Sequence, residues 1–82
     1  MFDPSITERL EGAFPELSKK QLEVSTLYAL GASYDVIAES CHLSPSTVKT
    51  YLKRSTKSLN LESNDALRTA ILLRSFLLVI NK

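Results

Sequence analysis

An 82-residue chain that is 44% hydrophobic, with two glycines and three prolines, reads as one ordered and largely helical domain with at most a short extension, not as a disordered segment. One Cys next to one His, at positions 41 and 42, excludes an internal disulfide and a structural zinc site. No metal or other cofactor is expected, and a reducing cytoplasm is the default compartment. The net charge of +1 is a sum of unlike parts: −3 over residues 1–16, −1 over 17–43, +4 over 44–58 and +1 over 59–82.

Five helices are predicted, in an all-α arrangement. Asp3 before Pro4 is a helix start, and that helix should end near Gly12. Its acidic, capped beginning after Met1 reads as a natural N-terminus without a secretory signal. In the second helix Ser18 and Gln21 form a capping box, and Leu17 and Leu22 have hydrophobic-staple spacing. Val24, Leu27 and Tyr28 supply the buried stripe, and Gly31 provides the left-handed stop. Ser33 caps a short helix from about Tyr34 to Cys41, with Ile37, Ala38 and Cys41 inward. Cys41 is expected as a small buried hydrophobe and His42 as a turn residue. Ser44, followed by Pro45, opens a helix over 45–58 that closes at Asn60. Ser63 or Asn64 opens the last helix, over 64–80, whose longest apolar run, Phe76–Ile80, is far too short to span a membrane.

Helix 45–58 carries Lys49, Lys53, Arg54 and Lys57 and no acid. Its period puts Val48, Leu52, Ser55 and Leu59 on one face and Ser46, Lys49, Thr50, Lys53, Arg54 and Lys57 on the others. Long cations mixed with small hydroxyl residues suit a B-DNA major groove. Lys and Arg donate to guanine O6 and N7, Thr offers a hydroxyl or methyl to a base edge, and rim cations neutralise phosphates. Backbone amides at the helix start, at Ser46 and Thr47, can hold a phosphate oxygen. Tyr51 is expected to pack against the neighbouring helix. With the short helix and tight turn before it, the unit describes a helix-turn-helix.

The run "LSKKQLEVSTLYALGASYDVIAESCHLSPSTVKTYLKRSTKSLNLES", Leu17–Ser63, resembles the LuxR/GerE-type DNA-binding domain. The matches include Leu17, Glu23, Val24, Gly31, Ser33, Ile37, Ala38, Leu43, Ser44, Thr47, Val48, Lys49 and Leu59, with Ser-x-x-Thr-Val-Lys the most specific element. The sequence departs from that pattern at Gln21, Ser25, Asp35, Tyr51, Ser55 and Ser58. The resemblance implies a four-helix helix-turn-helix domain over 17–82, here preceded by an additional short N-terminal helix in an extension over 1–16. Positions matching Lys49, Thr50 and Lys53 would face base edges. Those matching Ser46, Thr47 and Lys57 would lie nearer the phosphates, and Lys20 matches a basic position; Arg54, read from the helix itself, and Ser33 are further phosphate candidates. The implied protein is a cytoplasmic, nucleoid-associated bacterial transcription regulator. A sigma-factor domain that reads a promoter element also resembles residues 17–59, with a poorer fit to the last helix.

In the last helix Leu67, Ala70, Ile71, Arg74, Leu77 and Leu78 trace one face, and Leu72, Leu73, Phe76, Val79 and Ile80 fill much of the rest. So small a domain cannot bury a helix on all sides, so a partner surface is predicted. The simplest partner is a second copy, through Leu67, Ile71, Arg74, Leu77 and Leu78, with the dimer reading an inverted repeat. Phe2, Ile6, Leu10 and Phe14, at i, i+4 spacing, could also cover the last helix. No catalytic constellation is present, so an enzyme is not expected. The competing reading is an interaction module that keeps the fold but antagonises a larger regulator or contacts RNA polymerase.

Overall fold

The computed structural model describes residues 4–80, with side chains from residue 8 onward. Five helices follow in order: α1 (Pro4–Ala13), α2 (Lys19–Ala29), α3 (Tyr34–Cys41), α4 (Pro45–Ser58) and α5 (Asn64–Ile80). No strand is present among the described residues. Asp3 and Phe2, and the side chain of Ile6, lie outside the described residues.

Serines start α2, α3, α4 and α5. The Ser18 hydroxyl accepts from the Gln21 amide at 3.1 Å while the Gln21 side chain accepts from the Ser18 amide at 2.7 Å, closing the predicted capping box. Ser33 accepts from the Val36 amide, Ser44 from the Thr47 amide and Ser63 from the Ala66 amide. Of the two candidates for the start of α5, Ser63 is therefore the cap.

Three helices stop in the same way. Gly31 (φ 97°), His42 (φ 57°) and Asn60 (φ 56°) are left-handed. In each case the next amide reaches back five residues: Ala32 to the Leu27 carbonyl, Leu43 to Ala38, and Leu61 to Thr56. The left-handed residue's own amide reaches back three, to Tyr28, Glu39 and Lys57. These are Schellman ends, and the residue after each left-handed position is a hydrophobe packed against the core. The turn between α3 and α4 is thus fixed from both sides, by the His42 stop and the Ser44 cap. That fixes the angle at which α4 leaves the body.

α2 is the hub, in contact with α3, α4 and α5, while α4 also packs on α3 and α5, and α1 packs on α5. The core is built from Phe14, Val24, Ile37, Val48, Leu52, Leu67 and Ile71. Cys41 is buried with them, its thiol pushed up to about 11 by desolvation and by the neighbouring Glu23. Tyr51 is half-buried against the core, on the packing side as its position suggests. Leu10 and Phe14 bring the N-terminal segment into the core. Arg74 clamps that segment to α5. Its guanidinium stands 5.0 Å from the Phe14 ring centre, donates to the Ala13 carbonyl at 3.0 Å, and pairs with both oxygens of Glu16 at 2.9 and 3.1 Å.

α5 differs from the sequence expectation in which stripe faces inward. Leu67 and Ile71, assigned to a partner surface, are fully buried within the protomer. Arg74 is committed to Glu16 and Ala13, and Leu78 is half-buried against the core. Of the five residues of that face, only Leu77 is exposed, at 45%. The reason is geometric: Leu67, Ile71, Arg74 and Leu78 form the i, i+4, i+7, i+11 row, and one domain fills that row before it offers anything outward.

Candidate nucleic-acid interface

α4 is divided sharply along its length. Val48, Leu52, Ser55 and Thr56 are buried. Ser55 and Thr56, small enough to let helices approach, return their hydroxyls to the Tyr51 and Leu52 carbonyls at 2.8 Å, so no buried oxygen is left without a partner there. Ser46, Lys49, Thr50, Lys53, Arg54 and Lys57 are all exposed. Helical geometry places those six within an arc of about 140°. The arc carries four cations and no carboxylate, so its potential is one-signed over the length of a helix that fits a major groove.

The individual side chains are not equally free. Lys49 Nζ lies 5.6 Å from the centre of the Tyr34 ring at the start of α3. Tyr34 in turn stacks on Tyr28 of α2 at 6.3 Å, and Arg68 of α5 covers Tyr28 at 4.4 Å. This pair of stacked rings, with a cation on each, links four helices beside the basic face. Sequence reasoning did not find it, because its members are drawn from four different elements and share no periodicity. The Thr50 hydroxyl donates to the Ser46 carbonyl at 3.2 Å, leaving acceptor lone pairs and a methyl for a partner.

Three of the residues expected near phosphates carry hydrogen bonds within the protomer. The Thr47 amide donates to Ser44 Oγ at 3.2 Å, and the Thr47 hydroxyl lies 2.8 Å from the same oxygen, so the amide proposed for a phosphate is occupied by the cap. Lys20, its side chain still 41% exposed, donates to the Cys41 carbonyl at 3.3 Å with Glu23 at 3.6 Å, which makes it a tie between α2 and the end of α3. Ser33 is exposed but accepts from the Val36 amide as the α3 cap. Asp35 occupies the first turn of the same helix, where its charge suits the dipole. The structure therefore brings Ser46, Lys49, Thr50, Lys53, Arg54 and Lys57 together on one face of α4, while Lys20 stands on α2.

No helix among the described residues is long and apolar enough to cross a membrane. The family model of "Sigma-70, region 4" matches residues 7–59. That span takes in the second half of α1, all of α2 and α3, and α4 to its C-cap, and leaves α5 outside. No curated protein and no solved structure matches the chain. A match over that much of the chain, on a body whose α4 presents a one-signed outer face, places it: the chain belongs to the Sigma-70, region 4 family of non-catalytic helix-turn-helix DNA-binding domains.

Proposed function

We propose that the protein is a sequence-specific DNA-binding transcription regulator that reads a B-DNA major groove with α4. Lys49, Thr50 and Lys53 meet base edges, while Ser46, Arg54 and Lys57 hold phosphates. The observation that carries the reading is the outer face of α4, four cations and small hydroxyls without an acid. Domains of this family bind promoter DNA and the RNA polymerase core, which supports duplex DNA as the ligand and polymerase as a further partner. The Ser44–Lys49 motif and the Gly31–Ser33 element support the narrower LuxR/GerE-like role, a homodimeric bacterial regulator acting in the cytoplasm on an inverted repeat. Selection of a random duplex library on the purified chain at about 0.15 M salt, where screening suppresses loose phosphate binding, tests this. Enrichment of one sequence is expected. No enrichment by folded protein overturns base reading.

A second reading has an observation of its own, the exposed apolar residues of α5. In that reading the fold is kept as an interaction module that antagonises a larger regulator or docks on polymerase. Lys49→Glu would then leave cellular activity intact. Loss of activity with partner binding preserved rules the module out.

A further inference from the structure

The C-terminal half of α5 exposes Leu72, Leu73, Phe76, Leu77, Val79 and Ile80, each between 44% and 65%. At 3.6 residues per turn these six fall within an arc of about 160°, on the side away from Leu67, Ile71 and Leu78. Arg74, the single charge between Leu72 and Ile80, turns out of this arc toward Glu16. Alongside it, α1, α2 and α5 leave an open groove of about 210 Å³, walled by Leu10, Ala29, Leu30, Leu72 and Val79. Leu30, at 63% exposure, extends the apolar surface from α5 onto the end of α2.

We propose that this surface joins two copies of the chain about a two-fold axis, with the two α5 helices crossing and each Phe76 ring entering the other protomer's groove between Leu30, Leu72 and Val79. Area is the first support. Six side chains of at most about 200 Å² each, roughly half exposed, amount to about 600 Å² per protomer before Leu30 is added, at the top of the range for the largest patch of a monomer and approaching the ~800 Å² per partner of a stable interface. Charge is the second. In a two-fold contact a charge near the axis meets its own copy, and one further out is desolvated against an apolar partner; this arc carries none. Shape is the third. Ridge and groove are neighbours on one protomer, Phe76 at 62% exposure beside a slot that shares Leu72 and Val79 with the same helix. An isologous contact fills both slots with both rings, which a one-sided contact cannot do. The stripe first read from the sequence is spent on the core, and the opposite stripe takes its place.

The inverted-repeat consequence of this dimer rests on the DNA-binding reading; the interface itself does not, and it is tested without DNA. Sedimentation of the full chain from roughly micromolar to a few hundred micromolar should show the mass passing from one chain to two. Phe76→Glu and, independently, Leu73→Lys should each weaken association by about 100-fold or more. Both positions are exposed, so helical circular dichroism and the thermal midpoint measured on the dilute monomer should be unchanged. Val36→Lys, at an exposed apolar residue on α3, should leave the dimer intact. A monomer at the highest concentration, a dimer indifferent to both α5 variants, or one that Val36→Lys also dissociates would overturn the proposal. Phe76→Glu should still bind a single half-site. A chain that dimerises as described yet selects no DNA sequence would remove the DNA reading and leave this interface standing.

Discussion

α4 and α5 are built alike on the inside and oppositely on the outside. Each turns a stripe of aliphatic residues onto α2: Val48 and Leu52 from α4, Leu67 and Ile71 from α5, all essentially without solvent exposure. On the outer side α4 carries Lys49, Lys53, Arg54 and Lys57, while α5 carries Leu72, Leu73, Phe76, Leu77, Val79 and Ile80. One outer face is dear to desolvate and strongly attracted to a polyanion; the other gains by leaving water at all. The same packing thus supports two unlike kinds of recognition, with the body between them holding the two faces at fixed relative positions.

The comparison is broken most forcefully at adjacent residues of α5. Ile71 is 1% exposed and Leu72 is 44% exposed. Ile71→Ala should cost about 2–5 kcal/mol of stability, through lost transfer energy and the cavity left behind. Leu72→Ala should cost about 0.5 kcal/mol or less, provided denaturant unfolding is followed at a concentration where the chain is monomeric. Equal losses at the two positions would mean that α5 is rotated from the placement described above.

On α4 the corresponding break is charge reversal. Lys49→Glu and Lys53→Glu should each remove about 1–3 kcal/mol of specific affinity and flatten the salt dependence; Lys53→Glu should leave the unfolding midpoint in place, while Lys49→Glu also gives up the Tyr34 contact and should cost about 0.5–1 kcal/mol of stability. Binding titrations at several salt concentrations check this against Leu73→Lys, which should not lower half-site affinity. If the α5 variant weakens a half-site as much as Lys49→Glu does, the two outer faces are not independent.

The inner faces can be sharpened as well, at smaller cost. α4 buries Ser55 and Thr56 with both hydroxyls bonded to backbone carbonyls, Thr56 also lying 3.2 Å from Asn64 Oδ1. α2 buries Ser25 and Thr26, and neither hydroxyl has a partner. A buried, unpaired hydroxyl is a standing penalty, so Ser25→Ala and Thr26→Val should each stabilise the fold by about 1 kcal/mol, whereas Ser55→Ala should not. Thermal unfolding of the three variants separates these outcomes. A loss at Ser25→Ala would show that its oxygen is paired after all.

What was legible in the sequence follows the range of the forces involved. Caps and stops are settled within three to five residues, so Ser18 with Gln21, Ser44 with Pro45, and the left-handed Gly31, His42 and Asn60 could all be named in advance. The two sides of α4 were readable because polar and apolar residues separate cleanly at the helical period. α5 was not, because it is apolar nearly all round in its second half and periodicity cannot choose between its stripes; the choice is tertiary, made by Leu67 and Ile71 packing into the core, with Arg74 reaching Glu16 across 58 residues on the same side. The ladder from Lys49 through Tyr34 and Tyr28 to Arg68 is tertiary and leaves no local trace. The helix-turn-helix was legible in the Ser44–Lys49 motif, but that motif begins after α1. The family match runs from residue 7, where Leu10 and Phe14 tie the N-terminal segment into the core.

The smallest expected effect concerns the one cation of α5's second half that points inward. Hydrogen bonds from Arg74 hold the Glu16 carboxyl below its ordinary value of 4.5. A carboxylate whose folded-state value lies below its unfolded one binds fewer protons when folded. Its contribution is therefore complete above about pH 4.5 and is lost as the pH falls through the depressed value. Both partners are more than one-third exposed, so solvent screens the pair and the effect should be modest. Denaturant midpoints of the wild type should decline more steeply below pH 4.5 than those of Glu16→Gln, the two curves running parallel at neutral pH. Removing Arg74 instead should cost more than removing Glu16 at every pH, because the guanidinium also covers Phe14 and bonds the Ala13 carbonyl. Parallel acid limbs would assign the clamp to those two contacts alone. It would then hold α1 on α5 by packing and a backbone hydrogen bond, with the visible ion pair adding nothing measurable.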